Sequence, residues 1–231
     1  MTTRTLDLDT LVLAVGAHSA TKDDMCVMEA VAFIAGEPWS DHPDCASPVI
    51  GAFLRTWNDS LPDADRQTLK QYIPRLVGSK GTTAQEERRA WMALDWLVRV
   101  HTPAWLRLAG LVDQANLLAG LAEVDAGTCP SIKPMLEAVR MDAAAAGGVV
   151  RDAAWAVARD AAGDAARDAA WAVAGDAAGD AARDAAGAVA GDAAGAVARD
   201  AARDALAPTV TELQTSAHDL IDRMLAVTET A

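Results

Sequence analysis

The sequence predicts an all-α protein, with an irregular helical N-terminal domain, a long alanine-rich tetrad-repeat helical region and a C-terminal amphipathic helix. Apolar residues recur at helical spacing, no segment combines period-two alternation with hairpin turns, and residues 151–206 repeat in units of four. We therefore expect little or no β-sheet. We place the helical domain at 1–150, the repeat at 151–206 and the terminal helix at 207–231.

Several residue pairs in the first part are typical of helix starts. The pairs are Thr21 with Asp24, Ser47 with Pro48, Thr83 with Glu86, and Thr102 with Pro103. Two of them have the spacing of a capping box, and two place a proline in the first turn. Ser60 predicts a further start, whereas Gly36 and Pro74 predict ends. We expect short helices in a bundle, with Trp91, Trp96 and Trp105 in its core rather than in a ligand cage.

Residues 151–206 divide into tetrads such as RDAA, GDAA and WAVA. Alanine has the highest helix propensity, so the local prediction is helix, although glycine at some tetrad starts costs up to about 1 kcal/mol relative to alanine. Four residues advance an α-helix by about 400°, so equivalent positions drift by about 40° per tetrad. A single helix of roughly 84 Å would therefore keep no constant apolar face. We expect it to be packed on several sides, or to break at its glycines into shorter packed helices.

Pro208 predicts the end of the repeat, and Thr209 and Glu212 have capping-box spacing directly after it. An apolar stripe at helical spacing follows. Its members are Val210, Leu213, Ala217, Leu220, Ile221, Met224 and Leu225. This pattern predicts a helix that packs on a core or pairs with a partner.

The net charge of −13 is spread over all three parts, and no basic face is evident. Binding of nucleic acid or anionic lipid needs clustered Lys and Arg, so neither direct nucleic-acid binding nor membrane binding is predicted. No stretch approaches the ~20 apolar residues of a membrane span. An odd number of cysteines and a start without a basic n-region favour a cytoplasmic location. The expected partner is a protein, including a second copy in a homo-oligomer.

A set of zinc-binding residue types lies in the first part. Its members are His18, Cys26, His42 and Cys45. Two His and two Cys can bind zinc tetrahedrally, and His42-Pro-Asp-Cys45 places two of them on one tight loop. The favoured alternative is that Cys26 is a buried helix residue and the histidines lie in surface loops. Cys26 also lies near a helix start, where the dipole favours a thiolate, although Asp23 and Asp24 oppose that charge.

Two further features of the first part are interpreted as structural. Glu29 lies among apolar residues; a buried carboxylate there would be a site candidate, but the favoured expectation is a partly exposed carboxylate paired with a basic residue. The segment Gly78-Ser79-Lys80-Gly81-Thr82-Thr83 precedes a helix and has the composition of a phosphate-binding loop, but it lacks the spacing of a P-loop. We interpret it as a capped turn.

Three blocks of the first part carry a resemblance: MCVMEAVAFIAGEPWSDHPDC, YIPRLVG and RRAWMALDWLVRVHTPAWL. Followed by DAA tetrads and a closing amphipathic helix, they resemble a group of uncharacterised alanine-repeat proteins of actinobacteria and their phages. The resemblance covers most of the chain. It implies an N-terminal domain, a repeat of variable extent and a C-terminal cap, and it implies no activity.

The sequence therefore favours a structural or interaction protein in which the alanine-repeat module mediates packing or self-association. One alternative is a metal-dependent or thiol-dependent enzyme in the N-terminal domain, using zinc or Cys26. The other is an acidic decoy of a nucleic-acid-binding protein, which the net charge of −13 would support.

Overall fold

A computed structural model describes residues 5–20, 24–145 and 199–228. The helices in chain order are α1 (Val27–Ala35), α2 (Pro48–Ser60), α3 (Asp63–Arg66), a 3₁₀ helix (Gln67–Tyr72), α4 (Ile73–Leu76), α5 (Thr83–Trp96), a π-helix (Leu97–His101), α6 (Thr102–Leu108), α7 (Val112–Ala119), α8 (Cys129–Ala145) and α9 (Arg199–Leu225). Over these ranges the chain forms no β-strand, and only an isolated bridge joins Leu13 to Met25. The all-α prediction is confirmed for this part of the chain.

Two predicted helix boundaries are confirmed. Ser47 caps α2, since its side chain accepts from the backbone N–H of Ile50, and Pro48 occupies the first turn. Gly36 ends α1 with φ 72°, in the left-handed region that glycine adopts without steric cost.

The cap of α1 differs from the prediction. Thr21 lies outside the described residues, and the capping box is formed instead by Cys26 and Glu29. The backbone N–H of Glu29 donates to Cys26 Sγ over 3.4 Å, while Cys26 N–H donates to Glu29 Oε2 over 2.8 Å. Cysteine is not among the favoured N-cap residues, which is why the pattern pointed to Thr21 and Asp24.

The cap of α5 is displaced by one residue from the prediction. Thr82 and Gln85, rather than Thr83 and Glu86, form the capping box. The side chain of Glu86 is therefore not used at the helix end. It turns into the protein, where it is buried.

The connection after α2 also differs from the prediction. Ser60 ends α2 and does not begin the next helix, which starts at Asp63 behind Pro62. The 3₁₀ helix then leads directly into α4, with Pro74 in its first turn. Pro74 is tolerated there because the first N–H groups of a helix have no intrahelical partner.

Thr102 and Pro103 do not restart the chain as predicted. Instead α5 runs through the π-helix into α6 without interruption. Pro103 lacks an N–H and crowds the preceding turn, so one widened turn before it keeps the helix continuous. Thr102 Oγ1 donates to the Leu97 carbonyl over 2.8 Å and satisfies a backbone group in that turn.

The terminal helix starts earlier than predicted, because α9 begins at Arg199 and Pro208 lies inside it. The predicted stop at Pro208 and the cap formed by Thr209 and Glu212 are therefore wrong. Residues 146–198 hold most of the tetrads and lie outside the described residues, so the predictions about their packing stay predictions.

The core of the described chain is one cluster that includes both the body, defined as residues 5–20 and 24–145, and α9. Trp96 and Trp105 are buried in it, as predicted, whereas Trp91 is only partly buried and packs against it. The predicted stripe of α9 also faces this core. Its fully buried members are Leu213, Ala217, Leu220, Ile221 and Met224. The terminal helix therefore completes the core of the body. Among the described helices none is both long and apolar enough to cross a membrane.

Candidate functional site

The best-developed polar site lies where α9 docks on the body, and we call it the docking site. Its shortest polar contacts are Trp96 Nε1 to Ser216 Oγ at 2.7 Å, Tyr72 Oη to His218 Nδ1 at 2.7 Å, Arg75 Nη1 to Asp222 Oδ1 at 2.6 Å, and Arg89 Nε to the Met224 carbonyl at 3.0 Å. They follow α9 over more than two turns. These polar contacts therefore fix the register of α9 along the body, in addition to the burial of its apolar stripe.

A buried ion pair between Arg89 and Glu86 lies at one end of the docking site. Arg89 Nη1 donates to Glu86 Oε1 over 2.5 Å and to the Ser79 carbonyl over 2.9 Å. Glu86 also accepts from Ser47 Oγ over 2.5 Å and from Gly81 N–H over 2.8 Å. Both side chains are less than a tenth exposed. The two buried charges thus neutralise each other and join α2, α5 and the turn before α5.

Arg89 also caps α9, because its Nε donates to the Met224 carbonyl in the last turn. Carbonyl groups at a helix C-terminus lack intrahelical partners, and the helix dipole attracts positive charge there. A guanidinium presents five N–H donors in a fixed planar arrangement, so it can serve several acceptors at once, which a lysine cannot do in the same geometry. This residue type therefore suits a position that must satisfy a carboxylate and two carbonyls.

His218 is the titratable residue in the middle of the docking site. Its ring lies 4.8 Å from the centroid of Trp57 and 5.7 Å from that of Tyr72. Burial raises the pKa of Tyr72, so the phenol keeps its proton, and its Oη forms a hydrogen bond of 2.7 Å with His218 Nδ1. Burial lowers the pKa of His218 below its usual value, although the nearby carboxylates of Asp222 and Asp219 act in the opposite direction.

We expect stability to fall as pH decreases from 7.5 to 5.5, because the depressed pKa of His218 in the folded chain favours its neutral form. In the unfolded chain this histidine has the usual pKa of about 6.5. Below that pH the unfolded chain binds more protons than the folded chain, so the stabilising effect is complete above it and is lost as the pH falls towards the pKa of the folded chain. Urea unfolding at both pH values should show a smaller pH effect for His218→Gln than for the native chain.

The matched control for this pH effect is His42→Gln, since the His42 side chain is 65% exposed and bonds only its neighbour Asp41 among the contacts of the described chain. That variant should keep the native pH dependence. Staying above pH 5 separates His218 from the carboxyl groups, which titrate lower. Equal pH dependence of the native chain and His218→Gln would contradict the prediction.

The four predicted zinc residues have different partners in the structure. His18 and Cys26 meet at Glu29, whose Oε2 is 2.9 Å from His18 Nδ1 and 2.8 Å from Cys26 N. His42 is exposed and its Nδ1 pairs with Asp41, whereas Cys45 is half-buried. Across the described ranges, no group of three or more His, Cys, Asp and Glu residues is arranged to hold a metal ion. The zinc set stays a prediction from spacing.

Glu29 is buried, which differs from the expected partly exposed glutamate. Burial acts to raise the pKa of Glu29, but the net shift is downward. The carboxylate is stabilised by the N–H groups of His18 and Cys26 and by the His18 ring. It is therefore an ionised, fully hydrogen-bonded carboxylate. The spacing Cys26-x-x-Glu29 was the available sequence signal, since it is that of a capping box with a thiol in place of a hydroxyl.

Cys26 is a protonated thiol in this setting. Burial raises the pKa of its thiol to about 12, and the charge of Glu29 contributes to the same shift. Desolvation thus outweighs the helix dipole that was expected to favour a thiolate. The geometry supports a capping role for Cys26 and gives no activated nucleophile at this position.

The loop at 78–83 is a capped turn, as interpreted from the sequence. Its Gly81 N–H donates to Glu86, and its Ser79 carbonyl accepts from Arg89.

Comparison of the chain with protein-family models, with curated proteins and with solved structures finds no match.

Proposed function

We propose that this is an interaction protein whose body holds both ends of the alanine repeat, and that the repeat mediates packing or self-association. The observation that carries the proposal is the docking of α9. The described part of α8 reaches Ala145, the described part of α9 runs from Arg199, and both helices contribute side chains to one core. Both ends of the repeat are therefore attached to one folded unit.

The composition of the repeat supports a role in packing. Its tetrads are made of Ala, Asp, Gly, Arg, Val and Trp up to Leu206, so Asp is their one side chain of a type used as a nucleophile or general base, and no His, Cys, Ser or Lys accompanies it. Small side chains let helices approach to the lower end of the usual 8–10 Å. Each buries little apolar area, so useful stabilisation needs many such contacts along a surface.

The test replaces residues 151–198 with a flexible Gly/Ser linker of the same length. Such a linker has an end-to-end distance of roughly 35–40 Å, so α9 can still dock on the body. We expect the native chain to associate in sedimentation equilibrium, or to be more stable to urea than the variant because the repeat packs on the body. The variant should be a folded monomer.

The Trp96–Ser216 contact provides an internal check that the variant remains folded, because loss of α9 docking would change the fluorescence of this buried tryptophan. A native chain with the same mass and the same free energy of unfolding as the linker variant would contradict the proposal, since the repeat would then contribute neither association nor packing.

A further inference from the structure

A cleft of about 370 Å³ lies between the last turn of α9 and the turn that follows α4. We propose that this cleft binds a free α-amino acid with an apolar side chain. Its volume lies at the lower end of the roughly 300–1,000 Å³ of small-molecule sites, which suits a ligand of this size. All residues that line it belong to the described chain and none to the repeat, so the inference does not depend on the proposed function.

Two opposite charges line the cleft. Arg75 Nη1 donates to Asp222 Oδ1 over 2.6 Å, and both side chains are about half exposed. The contact uses one nitrogen of the guanidinium and one oxygen of the carboxylate. Among the described residues, the other guanidinium nitrogens and Asp222 Oδ2 have no hydrogen-bond partner. A ligand that carries both charges can therefore bind to both groups without separating them.

The guanidinium of Arg75 is held in position before any ligand binds. Its Cζ lies 5.5 Å from the centroid of the Tyr72 ring, and Tyr72 is fully buried. Positioned between this ring and Asp222, the side chain loses less conformational freedom when a ligand binds. A guanidinium presents its N–H donors in a plane that matches the two oxygens of a carboxylate. Arg75 is therefore suited to bind the carboxylate of the ligand.

The opposite side of the cleft suits a positive group. Asp222 provides a carboxylate, and Leu225 and Ala226 lie at the C-terminal end of α9, where the helix dipole attracts positive charge. A free α-amino acid carries an ammonium group and a carboxylate on the same carbon, whereas each end of a peptide carries only one of them. The adjacent charges of Arg75 and Asp222 therefore favour the free amino acid.

The remaining wall of the cleft is apolar. Val77 is 37% exposed, and Leu225 is a partly buried residue that packs against the core. Both line the cleft, together with Gly78, where a Cβ atom would meet no other atom within 4 Å. An apolar side chain of the ligand would cover this surface and remove it from water.

The test titrates the full-length protein with L-leucine, N-acetyl-L-leucine and L-leucinamide, and follows the amide signals of Gly78 and Ala226 by NMR. We expect L-leucine to shift both signals saturably, with a Kd on the order of 1 mM, as is typical of a ligand with few atoms. The two derivatives each keep one charge of the amino acid, so both should bind more weakly.

Two variants separate the roles of the two charges. Arg75→Gln should weaken the binding of L-leucine and N-acetyl-L-leucine by about tenfold or more, the effect of losing a charged hydrogen bond, and should leave L-leucinamide nearly unaffected. Asp222→Asn should weaken L-leucine and L-leucinamide, and leave N-acetyl-L-leucine nearly unaffected. Both variants should remain folded, because exposed ion pairs contribute little to stability.

The matched control is Arg140→Gln, which removes an equally exposed arginine from an ion pair within α8 and should bind L-leucine like the native chain. Saturating L-leucine that leaves the signals of Gly78 and Ala226 unchanged would overturn the inference. Equal affinity of the native chain for all three probes would overturn it as well, and needs no variant. Neither result would affect the linker variant, which tests the proposed function of the repeat separately.

Discussion

Replacing Arg89 with methionine is expected to lower the free energy of unfolding by about 3–5 kcal/mol, because it leaves the buried Glu86 carboxylate without its positive partner. The substitution also removes the donors to the Ser79 and Met224 carbonyls. Urea unfolding followed by tryptophan fluorescence at pH 7.5 measures the loss. A loss below about 1 kcal/mol, the usual range of exposed pairs, would mean that this ion pair is not buried.

The matched control is Arg140→Met. Arg140 pairs with Glu137 at the same i,i+3 spacing as Arg89 with Glu86, but its side chain is 43% exposed. We expect that variant to lose no more than about 1 kcal/mol. The double variant Glu86→Gln/Arg89→Met should recover much of the loss of Arg89→Met, because it removes the unpaired buried charge. A double variant that is as unstable as the sum of its single variants would show that the two side chains act independently.

Replacing Leu220 with alanine is expected to cost about 2–5 kcal/mol, since the Leu220 side chain is fully buried in the shared core. The same change at Leu117, which is 47% exposed, should cost far less, as surface substitutions usually stay within about 0.5 kcal/mol. The two variants lose the same atoms, so the difference between them measures the packing of α9 on the body.

The probe for Leu220→Ala distinguishes a helix that completes the core from one that merely touches it. Residues 199–228 contain no tryptophan, whereas Trp57, Trp96 and Trp105 all lie in the body. We expect the fluorescence transition of these tryptophans to shift to lower urea together with the far-UV circular dichroism. A tryptophan transition that is unchanged in Leu220→Ala would show that α9 unfolds separately from the body.

The sequence predicted features that depend on residues within one or two turns of each other. Ser47 with Pro48, the glycine at position 36 and the apolar stripe of α9 are such features, and the structure has them where expected. The local pattern was wrong at Pro208. A proline there predicts a helix end, whereas α9 continues through it.

The docking site was largely missed because its contacts are not local. Glu86 was assigned to a helix cap from its spacing to Thr83, whereas its carboxylate accepts from Ser47, which is 39 positions away. His218 was not singled out, since nothing near it in sequence indicates that Trp57 and Tyr72 enclose it. A one-residue shift of the α5 cap decides whether Glu86 lies at the surface or in the core. Spacing alone does not resolve such a shift.

Because α8 and α9 both belong to one folded unit, the number of tetrads between them is not fixed by the fit of either helix. Gain or loss of whole units would leave in place every core contact made among the described residues. Even for a fully flexible segment, doubling its length adds only about 0.6 kcal/mol to the cost of closure. Chains built with whole tetrads added or removed are therefore expected to keep the same stable core, and such a series would vary the length of the tract in steps.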